Sequence, residues 1–137
     1  MVGLVVASHG HLAEELVATA RQIVGEVQHV ATLSVEPGAS PEEIRARIKE
    51  AVKSVDDGEG VLVFADLIGG SPCTQSLSLC QQARIEVVTG VNLPMLLKAN
   101  SLRGQLPLLE LAHQLAQYGQ KNITCASDLL RARAPAA

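Results

Sequence analysis

Short apolar runs alternate with segments of helical periodicity along most of this chain. Residues 2–7 are almost entirely aliphatic, and apolar positions three and four residues apart follow from residue 12 to residue 24. This pattern predicts a strand and then an amphipathic helix that ends at Gly25. A second strand is predicted over residues 27–35, where polar and apolar residues alternate.

The middle of the chain repeats this order. Ser40, Pro41 and Glu43 supply an N-cap residue, a proline at the first helical position and a glutamate at the third. Together they predict a helix over residues 41–55. Residues 61–65 form an apolar run without polar alternation, which is typical of a central strand covered on both faces in a parallel sheet. Later prolines mark the starts of three further predicted helices, at Pro72, Pro94 and Pro107.

The second half of the chain completes an α/β pattern. Strands are predicted at residues 85–89 and, with a weaker pattern, at residues 122–126. Strands that alternate with helices predict a parallel sheet with right-handed crossovers and helices on both faces, in three layers. At 137 residues the chain has the size of one domain. We place this domain at residues 1–126, and we interpret residues 127–137 as a loosely held tail.

The composition argues against several classes of function. The formal net charge is −3, and the chain contains one Phe, one Tyr and no Trp, so it lacks the basic stripe and stacking aromatics of nucleic-acid binding. No apolar stretch approaches the roughly 20 residues that cross a bilayer, and no signal-peptide pattern begins the chain. We therefore expect a cytoplasmic protein. Its three cysteines lack C-x-x-C spacing and predict reduced thiols.

Two polar residues follow predicted strands and are the candidates for chemistry. His9 follows the first apolar run, and Asp66 follows the run at residues 61–65. The carboxyl ends of parallel strands border the crevice where α/β sheets bind ligands. If the two strands are neighbours, Asp66 can accept a hydrogen bond from one ring N–H of His9. The other ring nitrogen is then an unprotonated nucleophile near neutral pH.

The turn at residues 69–72 predicts an anion site beside this pair. Backbone N–H groups without partners, together with the dipole of the helix that starts there, favour a negative charge. Gly70 and the hydroxyls of Ser71 and Ser8 are the predicted donors to a phosphoryl group. Because phosphoryl transfer depends mainly on positioning and electrostatics, these groups predict its transfer between nitrogen nucleophiles.

The other histidines receive less weight. His9 and His11 have the spacing of two metal ligands after a strand, but only Asp66 is available as a further ligand. We therefore expect no metal and no other cofactor. His29 and His113 have no acidic or nucleophilic neighbour in a matching loop, and we interpret both as surface or half-buried residues.

Three segments together carry a resemblance. Residues 5–10 (VVASHG), 65–72 (ADLIGGSP) and 90–95 (GVNLPM) resemble, in this order, the mannose-family enzyme IIA domain of the bacterial phosphotransferase system. The resemblance implies four parallel strands and a fifth, antiparallel edge strand that is exchanged between the two subunits of a homodimer. Residues 122–126 match that fifth strand.

The resemblance also implies a phosphocarrier. Nε2 of His9 would accept a phosphoryl group from the histidine-phosphorylated carrier protein HPr and pass it to a IIB component, with Asp66 bonded to Nδ1. Membrane components IIC and IID would be involved only indirectly. Ser71 matches a phosphoryl-binding serine. Other positions matching the site loops or the partner surface are Leu67, Ile68, Asn92 and Pro94.

Three other functions compete with this role. A receiver domain needs an acidic pair after the first strand to hold Mg²⁺, and residues 8–10 supply none. The phosphocarrier subunit of dihydroxyacetone kinase has a similar Ser-His start, but residues 69–72 and 91–95 resemble the sugar family more closely. A regulatory module in which phosphorylation of His9 changes a protein interaction would have the same site, so the sequence leaves this alternative open.

Overall fold

The computed structural model describes residues 1–133. Strands and helices alternate through the first two thirds of this part, and helices follow one another in the last third. The elements are β1 (Gly3–His9), α1 (Leu12–Val24), β2 (Val30–Val35), α2 (Pro41–Val55), β3 (Val61–Ala65), α3 (Ser71–Leu77), β4 (Ile85–Thr89), α4 (Leu93–Leu102), α5 (Leu108–Lys121) and α6 (Ser127–Arg133).

The four strands form one parallel sheet in the order β2-β1-β3-β4. In the centre of the sheet Ala7 of β1 is opposite Leu33 on one side and Ala65 on the other. The chain moves from β1 to one edge of the sheet and returns to β3 on the opposite side of β1. The carboxyl ends of β1 and β3 therefore border the switch point, where open α/β sheets bind ligands.

Alternate residues of β1 enter two separate cores. Leu4 and Val6 pack in a cluster with apolar residues of α1, α4 and α5. Val5 and Ala7 pack in a second cluster, with apolar residues of α2 on the other face of the sheet. The three-layer α/β fold predicted from the sequence is confirmed. None of the helices within residues 1–133 is both long and apolar enough to cross a bilayer.

The region after α5 differs from the prediction. Residues 122–126 form no strand, because the backbone N–H groups of Asn122 and Ile123 bond back to carbonyls at the end of α5 instead of to a neighbouring strand. A strand pattern needs a sheet edge to pair with, and within this single chain none is reached. Exchange of the segment between subunits stays a prediction.

The predicted tail also contains regular structure. Residues 127–133 form α6. Its first turn is stabilised by local hydrogen bonds, such as the 2.9 Å bond from the N–H of Asp128 to the carbonyl of Cys125. Every residue from 121 to 131 is exposed, so the helix is held by its own bonds and not by packing. Residues 134–137 of the predicted tail lie outside the described part of the chain.

The amino-terminal end of the sheet is closed by Arg103, a residue that no sequence pattern marked. Its side chain follows α4, and the residue is 3% exposed. The guanidinium donates to the carbonyls of Val2 (2.9 Å), Gln28 and His29 (2.7 Å). These bonds join the end of α4 to the starts of β1 and β2.

Candidate functional site

His9 and Asp66 meet at the carboxyl end of the sheet, as their positions after two strands predicted. His9 is the last residue of β1, and Asp66 directly follows β3, the neighbouring strand. Nδ1 of His9 lies 2.8 Å from Oδ2 of Asp66. The histidine side chain is 49% exposed and the carboxylate side chain 8%. One edge of the imidazole therefore faces a buried acceptor, while much of the ring remains accessible.

Three donors surround the Asp66 carboxylate. Besides the ring, the backbone N–H of His9 donates to Oδ2 at 2.9 Å and that of Leu67 to Oδ1 at 3.0 Å. Burial raises the pKa of the Asp66 carboxyl, but the bonds from His9 and Leu67 stabilise its charged form, and the net effect lowers the pKa below its ordinary value of 3.8.

The ionised carboxylate fixes the tautomer of the ring. A carboxylate anion only accepts hydrogen bonds, so the proton of the short contact belongs to Nδ1 of His9. In the neutral ring the lone pair is then on Nε2. The arrangement resembles the aspartate–histidine part of a serine-protease triad in its geometry: a buried anion orients an imidazole and can stabilise positive charge on it.

Glycine is favoured at positions 69 and 70 for two different physical reasons. Gly69 has a φ of +82°, which favours glycine, and a Cβ there would meet nothing within 4 Å. Gly70 has ordinary extended backbone angles, but a Cβ on it would lie 2.8 Å from Cε1 of His9 and 3.6 Å from Nε2. The backbone of Gly70 thus lies directly against the histidine ring.

The two predicted phosphoryl-binding serines have opposite environments. Ser71 is exposed and is the first residue of α3, immediately after Gly70. Ser8 is fully buried, and its Oγ accepts a 2.8 Å hydrogen bond from the N–H of Ala13 in the first turn of α1. The structure therefore gives Ser8 a helix-capping role instead of the predicted contact with a phosphoryl group.

Exposed apolar side chains lie close to His9 and Asp66 in the sequence. Leu67 is 51% exposed and Ile68 is 78% exposed, in the loop that follows Asp66. Leu12, the first residue of α1, is 47% exposed, although its helical spacing had suggested a core position. Its nearness to His9 in the chain was the signal that could have marked it as a surface residue of the site.

Asn92 and Pro94 lie at the start of α4 and are half-buried. Oδ1 of Asn92 accepts from the N–H of Met95 at 3.1 Å, and its Nδ2 donates to the carbonyl of Gly119 in α5, also at 3.1 Å. Pro94 is the second residue of the helix, where its missing N–H costs nothing. The amide of Asn92 therefore caps α4 and ties it to α5.

Among residues 1–133, the remaining histidines form no hydrogen bond or ion pair with His9 or Asp66. Nδ1 of His11 is 3.7 Å from Oε2 of Glu14, and both side chains are well exposed. His29 and His113 are exposed, and His29 lies just before β2 with a φ of +48°. Within residues 1–133 no three His, Cys, Asp or Glu side chains are grouped so that they could hold a metal ion.

Fold and site together define a class: an open α/β protein that presents one carboxylate-oriented histidine at the switch point of a parallel sheet. Residues 3–116 match the family model EIIA-man, the PTS system fructose IIA component. The chain belongs to this family, which confirms the resemblance found in the sequence.

Individual relatives agree with this assignment. The PTS system mannose-specific EIIAB component of Escherichia coli is 31% identical over 99% of this chain and 44% of its own length. The PTS system fructose-specific EIIA component of Bacillus subtilis is 27% identical over 95% of this chain and 90% of its own. The mannose/sorbose-specific IIA subunit of Enterococcus faecalis superposes with a TM-score of 0.81 at 32% identity, over 90% and 92% of the two chains. The chain thus spans less than half of the EIIAB relative.

Proposed function

We propose that this chain is a IIA phosphocarrier of a sugar phosphotransferase system, with His9 as the phosphorylated residue. The observation that carries the proposal is the 2.8 Å bond from Nδ1 of His9 to the buried Asp66, combined with a ring that is about half exposed. A ring held in this way offers Nε2 to a phosphorus atom on a partner protein and needs no general base.

The proposed step transfers one phosphoryl group between two histidines. The Nε2 lone pair of His9 attacks the phosphorus of phosphohistidine on HPr. The donor N–P bond breaks, and its electron pair returns to the donor ring. The proton on Nδ1 stays in place, and Asp66 stabilises the positive charge that develops on the ring. The same step in the opposite direction passes the group to a histidine of a IIB component.

The phosphoryl oxygens are proposed to lie beside the start of α3. Ser71 is exposed next to Gly70, whose backbone contacts the ring carrying Nε2. Its hydroxyl and the backbone N–H groups of this turn are the proposed donors to the phosphoryl oxygens. Ser8 is left out because its hydroxyl is buried.

The partner surface is proposed to include Leu67, Ile68 and Leu12. These side chains are about half exposed or more, and they lie close in sequence to the catalytic pair. Transient partners commonly bury such apolar side chains around a reactive group. HPr and a IIB component would use this surface in turn, while membrane components IIC and IID would not touch it. These partners make the cytoplasm the proposed location.

A homodimer is proposed that forms at the β4 edge of the sheet. Within residues 1–133, β4 pairs with β3 and with no other strand. A cavity of about 500 Å³ between β4, α4 and α5 reaches Ile123, which is 76% exposed. Residues 122–126 of a second subunit could pair with the outer edge of β4. Light scattering tests this by comparing the 137-residue chain with a chain that ends at residue 121. The first should be a dimer and the second a monomer.

The decisive test is phosphorylation from phosphoenolpyruvate through enzyme I and HPr, followed by intact mass. The wild-type chain should gain one phosphoryl group that is labile in acid and stable in base. His9→Ala should abolish the gain, and His11→Ala is the matched control because it removes a neighbouring exposed imidazole. Labelling that persists in the His9 variant would overturn the proposal.

A further inference from the structure

We propose that Gly70 is a positioning residue: because it has no side chain, the His9 ring has the space it needs to stay hydrogen-bonded to Asp66. The inference rests on the proposed function of His9. It assigns Gly70 a task that differs from donating its backbone N–H to a phosphoryl group.

Space, and not backbone conformation, requires glycine at this position. Gly70 has φ −78° and ψ 162°, which any residue adopts. A Cβ added to it would approach Cε1 of His9 to 2.8 Å, closer than carbon atoms pack without a shift. The same Cβ would meet Cδ1 of Leu67 at an ordinary 3.5 Å. The histidine ring is therefore the group that would have to move.

The ring is free to move, but only away from Asp66. Its Nδ1–Oδ2 contact of 2.8 Å leaves no slack in the direction of the carboxylate. Because the side chain is 49% exposed, rotation toward solvent relieves the clash without disturbing the core. Rotation breaks the bond that keeps the proton on Nδ1, and both tautomers of the ring then become populated.

A Cβ at Gly70 would also stand 3.6 Å from Nε2, the nitrogen proposed to attack phosphorus. The absence of a side chain at Gly70 thus also leaves space beside the nucleophilic nitrogen. We expect Gly70→Ala to fold, to lose the preference for the Nδ1–H tautomer, and to accept phosphoryl groups about 10²-fold more slowly, as displacement of a reacting group by about 1 Å can cause.

The tautomer is measured directly from the ¹⁵N shifts of the His9 ring nitrogens in the unphosphorylated, ¹⁵N-labelled chain. Wild type should show a protonated Nδ1 and an unprotonated Nε2, and Gly70→Ala should show averaged shifts. Gly104→Ala is the matched control, because a Cβ there meets nothing within 4 Å. A wild-type tautomer in Gly70→Ala would overturn the proposal, even if phosphorylation became slow.

A double-mutant cycle separates positioning from phosphoryl binding. If Gly70 acts through the His9–Asp66 bond, adding Gly70→Ala to Asp66→Ala should slow phosphorylation much less than the single glycine change does. Equal factors in both backgrounds would instead indicate a direct contact with the phosphoryl group and would contradict the inference.

The contact itself can be tested without a variant. In the wild-type chain a nuclear Overhauser effect is expected between the Hα atoms of Gly70 and Hε1 of His9, and its absence would also overturn the proposal. These spectra need no phosphoryl donor. If wild type shows the contact and the tautomer but is not phosphorylated by HPr, the proposed function fails while the positioning role of Gly70 stands.

Discussion

The two ends of the parallel sheet each bury one charged group, and the two groups are used differently. At the carboxyl end Asp66 accepts hydrogen bonds from two backbone N–H groups and from the His9 ring. At the amino end Arg103 donates to the carbonyls of Val2, Gln28 and His29. Apart from the N–H of Leu67, the polar groups that balance these two charges belong to chain segments far from them in sequence.

The difference lies in the partners. The three partners of Arg103 are backbone carbonyls, so its bonds hold segments together and leave no reactive atom exposed. One partner of Asp66 is a side chain that reaches the surface and keeps a second, accessible nitrogen. A buried charge thus serves stability when all its partners are backbone, and reactivity when it polarises a group that meets solvent.

The largest expected effect is on the rate of phosphorylation and concerns the carboxyl end of the sheet. Asp66→Asn replaces an acceptor with an amide that can donate to Nδ1 of His9, which favours the wrong tautomer. We expect the rate of phosphorylation by HPr to fall about 10³-fold in a chain that still folds. Rates come from rapid-quench assays. A rate equal to that of wild type would show that the carboxylate does not orient the ring.

A large effect on stability is expected at the other end. Arg103→Met removes the donors of three carbonyls and keeps much of the apolar volume, so the free energy of unfolding should fall by about 3 kcal/mol. Chemical denaturation measures this loss, and the phosphorylation rate of the folded variant should stay near wild type. A slowed reaction in the folded variant would mean that the two ends are coupled.

Acid should reduce the contribution of Asp66 to stability, while the contribution of Arg103 is retained. The pKa of Asp66 in the folded chain is below its ordinary value of 3.8, so its contribution to stability is complete above that value and disappears as the pH falls through the lowered pKa. The difference in unfolding free energy between wild type and Asp66→Asn should therefore be constant near neutral pH and shrink below about pH 4. Arg103 stays charged throughout, so the corresponding difference for Arg103→Met should not shrink in the same way.

The smallest expected effect concerns Ser8, which precedes His9 in β1 but is fully buried. Ser8→Ala leaves the N–H of Ala13 without its acceptor and should cost about 1 kcal/mol of unfolding free energy. Phosphorylation should proceed at the wild-type rate. A loss of rate with unchanged stability would restore the role in phosphoryl binding that the sequence suggested for Ser8.

Neighbouring residues carried most of the correct predictions. The N-cap predicted at Ser40 is present in the structure, where its Oγ accepts from the N–H of Glu43 at 3.1 Å. The meeting of His9 and Asp66 was also foreseen, although 57 residues separate them. That prediction depended on the two strands being neighbours, and the sheet order, in which β1 lies beside β3, supplies this condition.

Local apolar periodicity and turn chemistry thus determined the succession of strands and helices, the layers and the positions of His9 and Asp66 directly after their strands, because these depend on residues a few positions apart. Tertiary structure alone decided the rest. Arg103 bonds to a carbonyl 101 residues away, a Cβ at Gly70 would collide with the ring of His9 on β1, and residues 122–126 need a sheet edge to become a strand. Close packing and hydrogen bonding between distant segments appear only when the chain is folded, so no local pattern records them.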